Sequence, residues 1–324
     1  MPEIIPIPMS QTVLALDTDV DPLWLCHAAR SIQDTTGNQQ ATSDRIISLG
    51  AKVPSHFPHS RDLLGWRRWF QRNDIQELRC YLPGRKSGVI LSAAVLGSIP
   101  ISLYVTRYLE AGELDYLKLW KKRTNRFYCA CTFIGQQLQS HGVPADRIIV
   151  EAPVIPLVLL SEVDLERYRN QLALPSDTYT LLSLVPPDKP KALQDIVWTA
   201  AIVKHIYPDI RLVISGDYGR EDQLRLSDWE KMFNISHLLC LHPKSEEWDI
   251  LVQVCDVVLA GSAGGQEVIR LHYAQAAGKP IVGGGKGYQK LIDGYEKAYP
   301  VDPPTPRQFA ATILDLIQVH AINH

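Results

Sequence analysis

The residue order predicts an α/β protein built from two doubly wound, parallel-sheet domains that face a central cleft. Three observations carry this reading. Short apolar runs alternate with segments of helical spacing along nearly the whole chain. At 324 residues the chain exceeds what one hydrophobic core usually organises. A proline-punctuated break over residues 152–177 divides the alternation into two series.

In the first series, residues 12–16 form a buried strand, and 21–33 space Leu23, Cys26, His27, Ala29 and Ile32 as on a helix behind an Asp-Pro start. Strands are expected at 45–49, 75–82, 99–106, 128–133 and 147–152. Helices are expected at 62–71, 85–96, 114–126 and 135–141. The stretch 87–105 is mildly apolar, but Gly97 and Pro100 interrupt it, so it reads as helix, turn and strand and not as a membrane span. The second series has strands at 180–185, 211–215, 237–241, 257–259 and 280–282. Its helices fall at 192–206, 223–233, 248–254, up to about 277, and 306–319. Strands alternating with helices in this way pair in parallel through right-handed crossovers. The expected domains are residues 1–160 and 178–324, with a polar linker helix over 161–177.

Composition narrows the class. With 46% hydrophobic and 21% charged residues the chain is globular. A net charge of -2 argues against a dedicated nucleic-acid binder. The six cysteines are too sparse and irregular for a disulfide framework, and Cys129 and Cys131 have the wrong spacing for a CxxC pair; one strand carrying both would make them a buried structural pair. No His pattern forms a metal-ligand set, so no metal and no cofactor are expected. The first residues, Met-Pro-Glu-Ile-Ile-Pro, lack the basic and apolar regions of a secretory signal, which makes a cytoplasmic location the expectation.

Charge is unevenly placed. Between Arg61 and Arg126 cations outnumber acids about two to one, interleaved with Trp66, Trp69, Phe70 and Trp120. Cations beside aromatics suit a helix lying on an anionic membrane. The same pattern suits a helix whose aromatic face packs on a sheet while its charges form a solvated rim.

Four blocks in the second half carry a resemblance: Arg211-Leu-Val-Ile-Ser-Gly-Asp-Tyr-Gly219, Cys255-Asp-Val-Val-Leu-Ala-Gly-Ser262, Ala276-Ala-Gly-Lys-Pro-Ile-Val282 and Gly287-Tyr-Gln-Lys-Leu-Ile-Asp-Gly294. In order and spacing they resemble the nucleotide-sugar domain of the group-one retaining glycosyltransferases of the GT-B fold, which pairs two Rossmann-like domains. Ser140-His-Gly-Val-Pro-Ala-Asp-Arg-Ile-Ile-Val150 resembles the end of that family's acceptor domain. The resemblance implies a metal-independent hexosyl or related transferase that uses a nucleotide-sugar as donor substrate and retains the anomeric configuration.

The departures are specific. The two glutamates expected of such enzymes align with Gly265 and Tyr273, and Glu267 lies two places beyond the first of them. The family's Arg and Lys for the donor diphosphate align with Ser183 and with Lys189 or Lys191. The resemblance therefore points to Glu267 and Lys189 for catalysis, and to Ser183, Lys191, Gly216, Asp217, Ser262, Gly264, Gly265, Gln266 and Tyr273 for the donor. The glycine-rich run 261–267 before a helix suits a diphosphate at a positive helix end, and equally a tight turn without ligand. Lys286, in the glycine loop 283–287, is a further phosphate candidate. On the acceptor side, His27 and Arg107 are candidates, with His56, His59 and Tyr108 near them. Three functions remain in view: sugar transfer to a saccharide or lipid-linked acceptor, a catalytically inactive relative kept as a binding or scaffolding module, and a nucleotide-sugar epimerase on the same shell, which would need acid/base carboxylates and His facing the sugar that the sequence does not place.

Overall fold

The computed structural model describes residues 12–16, 46–48, 62–73, 75–81, 87–153, 155, 157–185, 190–216, 218–235, 237–243, 247–261, 268–285, 288, 290–291 and 294–323. Two compact units divide it, Met1–Val154 with Glu267–Ile269, and Ile155–Gln266 with Arg270–His324. Each unit is built on a six-stranded sheet in which every pair runs parallel.

The first sheet has the order β2-β1-β3-β4-β5-β6. Its strands are β1 (Thr12–Leu16), β2 (Ile46–Ser48), β3 (Glu77–Tyr81), β4 (Ile101–Val105), β5 (Thr124–Cys129) and β6 (Ile148–Val150). Helices α1 (Leu63–Arg72), α2 (Gly88–Leu96), α3 (Ala111–Trp120) and α4 (Thr132–Ser140) alternate with them. The helix expected at 21–33 lies outside the described residues. Asp62 caps α1, its carboxylate accepting from the Gly65 amide at 2.8 Å. One turn on, Trp66 and Phe70 are 0% and 1% exposed, with Trp69 at their edge. The aromatic face offered above for a membrane therefore belongs largely to the core. Leu64 and Leu119 instead stand in solvent among Arg67, Arg68, Lys118 and Lys122.

The register differs from expectation between residues 111 and 140. A helix was predicted over 114–126 and a strand over 128–133, but α3 spans Ala111–Trp120 and β5 spans Thr124–Cys129. Glu110 and Glu113 form a reciprocal capping box that starts α3 three residues early. At its other end the Thr124 hydroxyl donates to the Trp120 carbonyl at 3.0 Å, and the chain passes directly into the ladder between β4 and β6. Pairing on both sides overrides the helical look of Lys121-Lys-Arg123. Consequently Cys129 ends a strand while Cys131 is the N-cap of α4, so the two do not share a strand face. Both thiols are free, and burial pushes the Cys129 thiol up to about 12.

The second sheet has the order β12-β11-β10-β7-β8-β9. Its strands are β7 (Tyr179–Ser183), β8 (Ile210–Ser215), β9 (Leu239–His242), β10 (Val257–Ala260), β11 (Ile281–Gly284) and β12 (Ala298–Val301). The helices that alternate with these strands are α5 (Glu162–Gln171), α6 (Pro190–Ile206), α7 (Arg220–Met232), α8 (Trp248–Val254), α9 (Val268–Ala276), whose first two residues count with the first unit, and α10 (Pro306–Asn323). α6 and α10 pack together over one core containing Leu181, Ile196, Val197, Leu212, Ile214, Leu259, Phe309 and Ile313.

Residues 161–177, expected as a linker, count with the second unit. Arg169 of α5 explains why: its guanidinium donates to the carbonyls of Val254 (2.8 Å), Pro175 (2.9 Å) and Thr178 (2.8 Å). The Gln253 side chain adds bonds to the Leu160 amide (2.9 Å) and the Val158 carbonyl (3.1 Å).

Candidate functional site at the carboxyl edge of the second sheet

β7 comes first in its sheet yet lies in the middle of it. The chain builds β8 and β9 on one side, then crosses to build β10, β11 and β12 on the other. The order reverses between β7 and β10, the kind of switch point at whose carboxyl ends open α/β sheets bind ligands.

The backbones are close there. The Leu184 amide donates to the Leu259 carbonyl at 2.8 Å, prolonging the β7–β10 contact past β7. A Cβ on Gly261 would stand 2.8 Å from Val185 Cγ2 and 3.6 Å from the Ile196 side chain, so only glycine fits directly after β10. After β8, Gly216 has φ 147°, a left-handed conformation open to glycine, and its amide donates to the His242 carbonyl at 3.0 Å.

Ser183 ends β7 and is 0% exposed. Its hydroxyl accepts from the Val185 amide and donates to the Val185 carbonyl, each at 3.1 Å. The side chain at the expected Arg position thus closes a turn on its own backbone. Lys191 stands exposed in the first turn of the seventeen-residue α6. A cation at the positive end of a helix dipole attracts an anion twice over. Burial raises the Asp195 carboxyl, and the nearby Lys191 charge opposes that shift. Tyr273, at the second glutamate position, is 5% exposed on α9.

Sequence reasoning missed Arg270. It is 6% exposed on α9, and its guanidinium lies 4.6 Å from the Trp248 ring centroid. Its charge is felt by Tyr218 and Tyr288, both of which burial makes harder to ionise. Tyr218, Trp248, Arg270 and Tyr288 follow β8, β9, β10 and β11 respectively, so a buried positive centre forms from the segments leaving four strands at one edge. An Arg inside the apolar run Val268-Ile-Arg-Leu271, just after a glycine-rich stretch, was the available signal. Lys189, Asp217, Ser262, Gly264, Gly265, Gln266, Glu267 and Lys286 lie outside the described residues.

The first unit has its own carboxyl edge. Tyr81, Tyr104 and Tyr128 are in register on β3, β4 and β5, with ring centroids 4.8 Å and 6.0 Å apart and nearly parallel planes. The Tyr104 hydroxyl donates to the Glu151 carbonyl at 2.7 Å. Arg107, after β4, is held by the Glu113 carboxylate at 2.8 Å, and Tyr108 stacks on Phe133 at 5.1 Å. His27, His56 and His59 lie outside the described residues. No group of three or more His, Cys, Asp or Glu among the described residues is arranged to hold a metal ion. Among them, too, no helix is long and apolar enough to cross a membrane.

By sequence, no curated protein matches the chain. Among solved structures, Anabaena Alr3699/HepE in complex with UDP-glucose aligns with a TM-score of 0.71 at 15% identity, over 96% of this chain and 90% of that one. A glycosyltransferase from Rickettsia africae aligns with a TM-score of 0.68 at 13% identity, over 96% and 89%. The UDP-GlcNAc 2-epimerase of Neisseria meningitidis bound to UDP-GlcNAc aligns with a TM-score of 0.60 at 12% identity, over 95% and 91%. At such identities these likenesses establish the fold. Residues 164–320 match the family model of glycosyl transferases group 1, a span that takes in all six strands of the second sheet and the glycine turn at Gly261. The second half of the chain is therefore similar to a group 1 glycosyl transferase domain, and the chain as a whole has the GT-B fold of these structures.

Proposed function

We propose that the protein transfers a sugar from a nucleoside diphosphate sugar, bound at the carboxyl edge of the second sheet, to a saccharide or lipid-linked acceptor bound by the first unit. The observation that carries this reading is the coincidence of the group 1 match with the β7/β10 switch point, where the strand order of the second sheet reverses. Fold relatives were solved with UDP or UDP-glucose, which supports a uridine donor.

In the reaction, the bond between the anomeric carbon and the diphosphate oxygen breaks, the acceptor oxygen bonds to that carbon, and the acceptor hydroxyl's proton passes to the leaving diphosphate. Negative charge grows on the leaving diphosphate. Its stabilisation falls to Lys191 with the α6 N-terminus, to Lys189, to Arg270, and to the amides of the loop holding Ser262, Gly264, Gly265 and Gln266. Glu267 is the carboxylate for the sugar hydroxyls. The reading needs no metal ion and gives retention at the anomeric carbon.

A second reading, an inactive homologue acting as a binding module, draws on the Ser183 hydroxyl turned onto Val185 and on the buried Tyr273. Product analysis decides between them. Incubation with UDP-glucose and other nucleotide sugars, with and without saccharide acceptors, is expected to release the nucleoside diphosphate together with a glycosylated acceptor or free sugar. Intact donor throughout contradicts the enzyme reading, and an epimerised donor sugar would replace transfer with epimerisation. We further propose a peripheral, cytoplasmic location in which Leu64 and Leu119, among the cations of α1 and α3, touch an anionic membrane.

A further inference from the structure

The second unit has another cavity, at the opposite edge of its sheet. Asp256 and the Lys279-Pro280 pair lie just before β10 and β11, Lys297 lies just before β12, and Tyr179 and Tyr299 belong to β7 and β12. With Leu316 and Val319 of α10 these residues line a cavity of about 420 Å³. It sits at the amino ends of the strands, so nothing in the sugar-transfer reading uses it.

Its charges are out of balance. The half-buried Lys279 ammonium donates to the Gln253 carbonyl at the end of α8 at 2.9 Å, and the Lys297 ammonium donates to the Gly278 carbonyl at 2.9 Å. An ammonium carries three N–H donors, and one such bond uses one of them. Among the described residues the one lining acid is Asp256, which already accepts the Thr180 amide at 2.7 Å. Burial holds the Lys279 pKa below its ordinary value; Asp256 opposes that, while Arg169 and Lys297 add to it. Two lysines and one carboxylate thus line a partly desolvated space, with the charge of Arg169 near enough to act on Lys279. The remaining wall is aromatic and aliphatic: Tyr179, Tyr299, Pro280, Leu316 and Val319.

We propose that this cavity binds a small organic anion, a phosphate monoester on an apolar body, with the charged group between Lys279 and Lys297 and the body against Tyr299 and Leu316. A cavity of this size holds a ligand of that kind. Each ammonium would give the phosphate a charge-assisted bond, the stronger kind of protein hydrogen bond.

Phenyl phosphate is a suitable probe. Calorimetric titration of the full chain, with UDP in excess to fill the carboxyl edge, is expected to give saturable one-site binding at about 1 mM or tighter. Inorganic phosphate, which lacks the apolar body, is expected to bind about tenfold more weakly. Lys279→Gln and Lys297→Gln are each expected to weaken phenyl phosphate about tenfold. Lys297 is exposed, so its variant keeps the fold even if Lys279→Gln disturbs the end of α8. Absence of saturable binding, equal affinity for inorganic phosphate, or unchanged affinity in Lys297→Gln would each overturn the proposal.

Discussion

Gly261 and Val185 meet across the point where the strand order of the second sheet reverses, so closely that a Cβ on the glycine would stand 2.8 Å from Val185 Cγ2. Val185 is buried and packed in the core, so it has little room to retreat. Gly261→Ala is expected to destabilise the protein by about 1–3 kcal/mol through overpacking and to weaken nucleotide binding. Urea unfolding checks the first effect and titration with UDP the second. An alanine variant as stable as the parent would show that the crevice floor is looser than described.

Gly112 provides the contrast. It lies exposed within α3, and a Cβ there would meet nothing within 4 Å. Gly112→Ala is expected to stabilise by up to about 0.5 kcal/mol, because glycine loses more backbone entropy than alanine on folding and Gly112 stands in the first turn of α3, short of the helix interior where the gain is largest. The same urea titration should move the two variants in opposite directions.

Gln137 of α4 is 6% exposed, and its amide group pairs with both backbone groups of Leu109: Oε1 accepts the Leu109 amide at 3.0 Å and Nε2 donates to its carbonyl at 2.7 Å. Gln137→Leu leaves a buried donor and acceptor unmet, each costing about 1–3 kcal/mol. A loss under 1 kcal/mol in thermal or urea unfolding would contradict that accounting, since the side chain would then be replaceable.

At the crevice, Ser183 and Lys191 should separate cleanly. The Ser183 hydroxyl serves the Val185 turn, so Ser183→Ala is expected to cost about 1 kcal/mol of stability and leave UDP affinity unchanged. Lys191→Ala should do the reverse: unchanged stability and about tenfold weaker UDP binding, as for a lost charge-assisted phosphate contact. Equal UDP affinity in both variants removes Lys191 from the site.

His272 sets a pH dependence. Burial lowers its pKa below the ordinary 6.5. The unfolded chain therefore takes up its proton at a higher pH than the folded one, and stability falls as pH drops through 6.5 toward the lower folded value. Above 6.5 the group contributes no slope. Denaturation between pH 8 and pH 5 should show a loss on acidification that is smaller in His272→Gln. Identical profiles would assign the acid sensitivity to other groups.

Much of the architecture was legible because most strands are short apolar runs bounded by turn residues, and the structure keeps them at or near those positions. Strand β12, Ala298–Val301, was not foreseen: it holds Pro300, lacks a continuous apolar run, and forms only as the last strand on its side of the sheet. The capping box of Glu110 and Glu113 was readable in principle, but the following basic residues hid where α3 ends. At the site, the glycines announced the turn, since their role is conformational and local. Arg270 did not announce itself, because its significance depends on Trp248, Tyr218 and Tyr288 arriving from three other segments. The fate of Ser183 was equally hidden, for whether a hydroxyl meets a ligand or its own backbone is decided by the turn after the strand.

Calorimetric titration of the full chain with UDP and UDP-glucose, alongside Lys191→Ala, tests the central claim most directly. Saturable binding by the parent and about tenfold weaker binding by the variant are expected if the carboxyl edge of the second sheet holds the donor diphosphate. No heat of binding from any nucleoside diphosphate or nucleotide sugar at millimolar concentration would contradict it.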